Sequence, residues 1–278
     1  MSGDSVAQTT VVLPVWDGYV GNRLTEALAS VAGQEVLAAI VLVDNASEVE
    51  IPEVPGVRVV RSARRLTLGE ARNLGLAHVT TPYVVVWDAD DVMLPGTLSF
   101  LQDAVEADLG LTAFGAAIVE DPSATRHRWP RRWIPVLARR PALFALLDAI
   151  WSLYPTTGAT IMRTEVVRAA QGYASAEAGE DWCLGVSLAF RGRIGWSERP
   201  GRIYRIHDES TWARHMNARH QLQHARAVRH RIRSDAGIAE WARLALPLIQ
   251  LGQYLAILGH VVMDAARRER RSRLGSLP

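Results

Sequence analysis

Short apolar runs alternate with amphipathic stretches along the first third of the chain. Runs of mainly β-branched residues, each stopped by polar residues or glycine, predict buried strands at 10–15, 39–43, 57–60 and 83–87. Stretches with apolar residues at helical spacing lie between and after them, at 23–32, at 67–78 and from Pro95 onward. This alternation predicts an α/β fold, with a Rossmann-like, mostly parallel sheet that helices cover on both faces.

Local signals mark where two of these helices begin. Asn22 is a residue type that often caps a helix, so we expect it to cap the first one. Thr67 and Glu70 have the spacing of a capping box and predict the start of the second. In sheets of this kind ligands bind outside the carboxyl ends of the strands, so the polar residues that follow each strand are the candidate site.

The rest of the chain has a different pattern. Segment 126–133 is basic and aromatic and 141–153 is apolar, which predicts a loop and a helix flanking the site. A short strand is expected at 160–162 and a helix at 180–190. We therefore predict a catalytic domain over 1–210, with a donor half at 9–120 and an acceptor half at 121–210. A helical C-terminal extension follows over 211–278, with an arginine-rich helix at 212–233 and a long apolar helix at 240–264.

Composition narrows the class of protein. The chain is 49% hydrophobic, which is enough to bury a large core, and its formal net charge is only +2. All 31 basic side chains are arginine, which suits phosphate and carboxylate partners, although codon bias also explains this usage. The single cysteine, Cys183, and a polar start without an apolar run lead us to expect a cytoplasmic protein without a signal peptide.

Three acids follow the fourth predicted strand directly, as Asp88-Ala-Asp90-Asp91. Carboxylates this close repel one another unless a cation lies among them. Hard oxygen ligands suit Mg²⁺ or Mn²⁺, which bridge diphosphate oxygens, so the cluster predicts a metal site. The alternative is a solvated acidic turn.

Other polar motifs accompany this cluster in a fixed order. They are Val11-Val-Leu-Pro-Val-Trp16, Val43-Asp-Asn-Ala-Ser47, Gly69-Glu-Ala-Arg-Asn-Leu-Gly75, Trp87-Asp-Ala-Asp-Asp91, Gly179-Glu-Asp-Trp182 and Tyr204-Arg-Ile-His207. The ordered set, over roughly residues 9 to 210, resembles inverting glycosyltransferases of family 2, with a GT-A fold. The resemblance implies transfer of a hexosyl or related sugar from a nucleotide diphosphate donor, with UDP favoured, and dependence on Mn²⁺ or Mg²⁺.

The resemblance also implies the nucleoside side of the donor site. Pro14, Val15 and Trp16 would line the nucleoside pocket, with Trp16 as an aromatic wall against the base or ribose. Val15 departs from the polar residue often found there, which leaves the base contacts open. Asp44 would accept a hydrogen bond from the base, most naturally from the uracil N–H.

The same resemblance implies which residues contact the phosphates and which residue is the general base. Arg72 would lie beside the base or the phosphates, Asp88 would approach the ribose, and Asp90 would hold the metal with His207 as a second metal or phosphate contact. Asp181 would be the general base, with a pKa raised by the neighbouring Glu180.

Glu180 and Trp182 are expected on the acceptor side. The acceptor itself stays open between a glycan, a lipid-linked sugar and a small molecule.

Simpler explanations exist for individual residues. Arg72 also fits a surface position on a helix, His207 a hydrogen-bonded loop position, and Asp181 a helix N-cap. His220 and His224 are spaced like zinc ligands, but no third ligand is apparent.

Two other functions also compete with the glycosyltransferase prediction. A nucleotidyltransferase would normally carry a basic, glycine-rich loop after the first strand, and 14–18 lacks this character. A catalytically silent module that binds sugar nucleotides or membranes is the other. We do not expect a nucleic-acid partner, because the acidic site would repel phosphate backbones.

The apolar helix of the extension leaves the cellular location of the protein open. From Leu244 to Met263 there is no acid and no arginine, which is long enough to span a bilayer, and an arginine-rich run follows from Arg267. A polar stripe that includes Gln250, Gln253 and His260 favours instead a helix that lies on a membrane or packs on protein. A membrane surface at the inner face of the plasma membrane and a second copy of the chain are therefore partners to test.

Overall fold

The computed structural model describes residues 6–51, 53–120, 129–176, 179–205 and 217–275, with side chains in the last helix described as far as Met263 and at Ala266. Its strands are β1 Thr9–Val15, β2 Ala38–Asp44, β3 Val57–Arg61, β4 Tyr83–Val86, β5 Val92–Met93, β6 Leu111–Val119, β7 Thr160–Arg163 and β8 Arg193–Ile203. They form one sheet in the order β3-β2-β1-β4-β7-β6-β8-β5. Strands β3, β2, β1 and β4 are parallel, as predicted, whereas β7 runs antiparallel to both of its neighbours.

Helices cover both faces of this sheet. They are α1 Asn22–Ala32, α2 Leu68–Leu76, α3 Thr97–Ala107, α4 Ile134–Ala138, α5 Pro141–Ile150, α6 Thr164–Ala169, α7 Glu180–Arg191, α8 Ala218–Ser234, α9 Glu240–Leu244 and α10 Leu246–Gly275, with a 3₁₀ turn at Asp17–Tyr19. The capping box of Thr67 and Glu70 is present at the start of α2, as predicted. Asn22, however, is the first helical residue of α1, and Gly21 occupies the cap with φ 125°.

Alternation along the central strands builds a core on each face. Val12 and Val84 point to the side covered by α2 and α7, where they pack with residues such as Leu184. Val11 and Val85 point to the opposite side, which α1 and α3 cover. Both faces of a parallel strand are therefore apolar, which explains why these strands appear in the sequence as continuous apolar runs.

Three strands were not predicted. Strand β6 contains Gly115 and three alanines, and β8 carries arginine, serine, glutamate and proline, so neither shows an apolar alternation. They pair in parallel with one another through several register shifts, and β8 also holds the short β5 at the edge of the sheet. These residues become strands because of the partners that the tertiary fold supplies.

The helices after residue 217 pack on the part of the chain that contains the sheet and share a core with it. Val186 of α7 belongs to the same buried cluster as Val228 of α8 and Ile249 of α10. The predicted helix at 240–264 is interrupted, because α9 ends at Leu244 and α10 restarts at Leu246. Pro247 explains the break, since it has no N–H to continue the first helix. Within the described residues, Leu246–Met263 is long and apolar enough to cross a membrane, with a mean hydropathy of 1.5.

Candidate active site

Polar residues that follow the parallel strands gather at one edge of the sheet. Val15 at the end of β1 lies beside Asp44 at the end of β2, and Asp88 follows β4, the other neighbour of β1. Trp16 continues from β1 into the 3₁₀ turn. Ligands bind at this edge in parallel sheets, so the strand ends place the predicted donor residues as expected.

A buried arginine connects this edge to helix α7. Arg72 of α2 donates a hydrogen bond of 3.0 Å to Asp88 and a second, shorter one to Glu180 at the start of α7. Gly69 lets α2 approach the segment that precedes α7, because a Cβ at residue 69 would lie 1.8 Å from the carbonyl oxygen of Ala174. Arg72 is buried, not on a helix surface, and the pKa of its guanidinium is raised because the carboxylates of Glu180 and Asp88 outweigh the opposing effect of burial.

A second buried arginine binds the acidic cluster from β8, which lies three strands away from β4 in the sheet. Arg202 of β8 donates to Asp88 at 2.6 Å and forms an ion pair with Asp91. Gly158 makes room for it with φ 78°, since a Cβ there would lie 2.0 Å from the Arg202 Nη1 atom. Burial alone raises the pKa of Asp88, but Arg202 and Arg72 outweigh it and hold that pKa below its usual value.

The metal prediction assumed that the charges of the acidic cluster need a metal to neutralise them, and these two arginines correct that assumption. The cations that neutralise the acidic cluster are Arg72 and Arg202, both supplied by the chain, so repulsion among the acids does not by itself require a metal. The solvated-turn alternative is also wrong for Asp91, which is buried and accepts a backbone hydrogen bond of 3.0 Å from Arg205. Burial raises the pKa of Asp91 to about 7, against the opposing charge of Arg202.

Asp181 lies beside the Arg72–Glu180 pair. It is the second residue of α7, and the cap of that helix is Gly179, so Asp181 is not the N-cap. Its Oδ1 atom accepts the backbone N–H of Trp182 at 2.8 Å. Burial raises the pKa of Asp181, Arg72 opposes this, and the carboxylate of Asp88 adds to it. The rise in pKa was expected, but its main cause is burial; Glu180 is instead paired with Arg72.

Asp148 of α5 is a buried carboxyl near the proposed base. Its Oδ1 atom accepts the N–H of Leu153 at 2.7 Å, whereas its Oδ2 atom is buried without a hydrogen-bond partner among the described residues. Burial raises the pKa of Asp148 to about 8, and the charge of Asp181 adds to the shift. Asp148 is therefore expected to hold a proton near neutral pH.

The nucleoside side of the site is only partly as predicted. Trp16 is 36% exposed and carries the guanidinium of Arg65 over its ring at 4.2 Å, so an aromatic surface is present at the strand end. Pro14 and Val15, by contrast, are buried within β1, and Val15 belongs to the core between the sheet and α1. The side chain of Val15 therefore fills the interior and is not available to a nucleoside.

Asp44 lies where predicted but is already engaged. Its Oδ1 atom accepts the N–H of Ser47 at 2.9 Å, and its Oδ2 atom accepts from Arg61 at 2.6 Å. A carboxylate has about four acceptor positions, so these two contacts leave capacity for a further donor on each oxygen.

The two residues predicted on the acceptor side are both buried. Glu180 is paired with Arg72, and Trp182 packs in the core between α7 and α8 while its indole N–H donates to the carbonyl oxygen of Asp148. This placement corrects the prediction, because neither side chain offers surface to an acceptor. Both are buried because residues 180 and 182 lie about 200° apart around α7, and α2 covers one of these sides while α8 covers the other.

The residues only partly fit a divalent cation. The described ranges contain no group of three or more His, Cys, Asp or Glu side chains arranged to hold a metal ion. Asp88 and Asp91 are paired with arginines, and Asp90 is the carboxylate that the family resemblance assigns to a metal. Mg²⁺ commonly takes one or two carboxylates and completes its coordination with substrate phosphates and water. A cation held by few protein ligands would therefore depend on substrate phosphates and water for the rest of its coordination. His207, the other predicted ligand, lies outside the described residues.

Three arginines were missing from the predicted site. Arg202 reaches the acidic cluster from 111 to 114 residues away, Arg61 pairs with Asp44, and Arg65 covers Trp16. No local pattern identifies them, because an arginine on a strand or loop looks the same in the sequence whether it meets solvent or a buried acid.

Solved structures of S. aureus TarS share this architecture. S. aureus TarS 1–349 in complex with UDP-GlcNAc superposes with a TM-score of 0.64 at 14% identity, over 82% of this chain and 67% of that one. The same fragment with UDP gives 0.60 at 16% identity, over 82% and 66%. Full TarS gives 0.61 at 14% identity, and the match covers 43% of its length. A search of curated protein sequences finds no match.

The fold is thus of the GT-A type. The sequence model of glycosyl transferase family 2 matches residues 10–169, more than half of the chain. This chain belongs to glycosyl transferase family 2. The match gives no support to the nucleotidyltransferase alternative.

Proposed function

We propose that this glycosyltransferase moves a sugar from a UDP-sugar to an acceptor hydroxyl, with inversion at the anomeric carbon and Asp181 as the general base. The observation that carries the proposal is the path of contacts from Asp88 through Arg72 to Glu180. This path connects the start of α7, which carries Asp181, to the strand ends where the nucleotide would bind, and so supports the assignment of the base. Binding of UDP and UDP-GlcNAc by TarS supports UDP as the nucleotide.

The donor end of the site offers an aromatic surface and spare polar atoms. Trp16 presents its exposed ring at the end of β1, and Asp44 keeps acceptor capacity for a base N–H beside its bonds to Arg61 and Ser47. The Nε atom of Arg72 is buried without a hydrogen-bond partner in the described part of the chain, so one donor of this guanidinium remains for a diphosphate oxygen.

Asp181 has the properties that proton removal requires. Burial raises the pKa of Asp181 above that of an ordinary aspartate, which makes its carboxylate a stronger base. The positive charge of Arg72 limits this rise. In the proposed step, the proton of the acceptor hydroxyl moves to the Asp181 carboxylate while the acceptor oxygen forms a bond to the anomeric carbon. The bond from that carbon to the diphosphate breaks on the opposite face, and its electron pair leaves with UDP.

A divalent cation, Mn²⁺ or Mg²⁺, is part of the proposal. Asp90 would hold it together with His207, and when bound it would neutralise charge on the diphosphate leaving group. The chain's own contribution is to fix the position of Asp90, because Arg202 anchors Asp88 and Asp91 on either side of it.

Donor hydrolysis tests this proposal without knowledge of the acceptor. UDP release from a panel of α-linked UDP-sugars is measured with water as the acceptor, and the first-formed sugar anomer is read by NMR. The proposal predicts release of UDP with the β-anomer formed first, and loss of release in Asp181→Asn. A first-formed α-anomer contradicts inversion, and unchanged release in Asp181→Asn contradicts the assignment of the base. Binding of UDP without turnover of any donor indicates a silent binding module.

A further inference from the structure

Helix α10 is held to the catalytic domain along one side only. Ile249 and Ile257 are buried in the core that α10 shares with α7 and α8. Gln253 lies between them, fully buried, and donates to the carbonyl oxygen of Ala149 at 2.8 Å while it accepts from Arg229. These contacts fix the helix against the protein and orient its other side outward.

The outward side of this helix is mainly apolar, and the Tyr254 hydroxyl, which accepts from Gln250, is the polar group exposed on it among the described residues. We call this surface the apolar face; it consists of Leu248, Leu251, Leu255, Leu258, Val261, Val262 and Met263. Leu248 is 72% exposed and Leu255 is 60% exposed. No acid and no arginine occurs between residues 244 and 263, so this surface has no charge to keep it in water. Contiguous exposed apolar surface of this kind marks an interaction site.

The spacing of the exposed side chains is compatible with two occupants. Leu248, Leu251, Leu255, Leu258 and Val262 lie within about 80° of the helix circumference and have the alternating three- and four-residue spacing of a coiled-coil stripe. At the end of the helix, Val261 and Met263 widen the exposed apolar surface to roughly 200°, which is more than such a stripe needs. The choice between lipid and a second copy of the chain therefore depends on the charge that follows this apolar end.

The charge that follows the apolar face favours a membrane surface over a second copy of the chain. The sequence continues from Asp264 with arginines at 267, 268, 270, 271 and 273, against one further acid, Glu269. Basic residues next to an apolar helix face are attracted to anionic lipid headgroups, and each contributes about 1 kcal/mol near such a surface.

We propose that α10 docks this glycosyltransferase onto an anionic membrane surface, with the helix lying in the plane of the interface and its apolar face in the lipid. The contacts of Gln253 favour this placement over a spanning one. A spanning helix would have to leave the domain, expose Gln253 to lipid and leave the buried Arg229 without its partner. The proposal is independent of the donor and of the assignment of Asp181.

Vesicle co-sedimentation of the full chain tests the proposal. The vesicles are phosphatidylcholine alone or an equal mixture of phosphatidylcholine and phosphatidylglycerol. The test variant is Leu251→Gln/Leu255→Gln/Leu258→Gln, which changes only exposed side chains, so its fold should survive. The matched control is Leu109→Gln, at a leucine that is 84% exposed elsewhere on the molecule. We expect wild type and control to bind the mixed vesicles, and the triple variant to bind at least about a hundredfold more weakly.

Three results would overturn membrane docking. They are no binding of the wild type to mixed vesicles, equal binding of the triple variant, and a wild-type dimer in light scattering that the triple variant abolishes. High salt should weaken binding to the mixed vesicles, because the arginine contribution is electrostatic. UDP-induced thermal stabilisation, measured on the same preparations, reports separately whether the donor site is intact, so loss of docking and loss of the proposed function are distinguishable.

Discussion

Arg202 on β8 donates a hydrogen bond of 2.6 Å to Asp88, a residue 114 positions earlier that follows β4. The same guanidinium pairs with Asp91, so one buried arginine holds two acids of the cluster. A buried charge left without its partner is far more costly than an exposed one. The acidic cluster therefore depends on Arg202 for its geometry before any ligand binds.

Removal of this arginine should destabilise the fold strongly. In Arg202→Met we expect the free energy of unfolding to fall by about 3–5 kcal/mol, measured by urea denaturation. The matched control is Arg193→Met, on the same strand, where the arginine is half exposed and pairs with Asp108 at the surface. That control should cost no more than about 1 kcal/mol. Equal losses in the two variants would contradict the stabilising role assigned to the buried Arg202.

The second prediction concerns Asp181, the proposed general base. Asp181→Asn keeps the shape of the side chain but removes its ability to accept a proton. We expect kcat for donor turnover to fall by roughly 10²–10⁴-fold. The Kd for UDP should stay within about twofold, since no donor contact is assigned to this carboxylate. In the wild type, kcat/KM should fall as the pH drops through the raised pKa of Asp181, because the protonated form cannot act as a base. A variant that keeps turnover but loses UDP affinity would place Asp181 in donor binding instead.

The third prediction concerns Asp148 and the pH dependence of stability. Its folded-state pKa is raised to about 8 by burial, so the folded protein holds a proton that the unfolded chain releases above about pH 4. Stability should therefore fall as the pH rises from about 4 to about 8, by up to about 1.4 kcal/mol per pH unit. Asp148→Asn should flatten this slope in urea denaturation between about pH 5 and pH 8, whereas the exposed Asp103→Asn should keep it. An unchanged slope in Asp148→Asn would mean that this carboxyl is already ionised in the folded state.

The fourth prediction concerns the aromatic wall. Trp16→Ala removes an exposed ring at the strand end, so we expect UDP affinity to fall about three- to tenfold with little change in melting temperature. Trp133→Ala removes a ring of similar exposure outside the strand-end site and should leave UDP affinity unchanged. Isothermal titration calorimetry measures both. Equal affinities in the two variants would remove Trp16 from the donor site.

Much of the donor half could be predicted because its signals are local. The buried parallel strands are continuous β-branched runs, and the capping box of Thr67 and Glu70 depends on residues three positions apart. Strand β8 could not be predicted, because its mixture of arginine, serine and proline acquires strand structure only from its pairing with β6.

The same distinction applies within the site. Asp88, Asp90 and Asp181 stand in motifs that the family resemblance identifies, whereas the role of Arg202 arises from a contact between distant segments. Glu180 and Trp182 were assigned to the acceptor by their place in a motif. The structure buries both because the start of α7 is enclosed between α2 and α8. Adjacency in a motif does not tell which side chains face the solvent.

The most direct test of the central claim is thermal stabilisation by UDP, GDP, ADP, CDP and dTDP, each with and without Mn²⁺, on the wild type and on Asp90→Ala. A specific ligand at 100 times its Kd adds about 2.7 kcal/mol to stability. We predict a shift with UDP that requires Mn²⁺, is reversed by a chelator and is lost in Asp90→Ala. Absence of a shift with every nucleotide would contradict the proposed donor site.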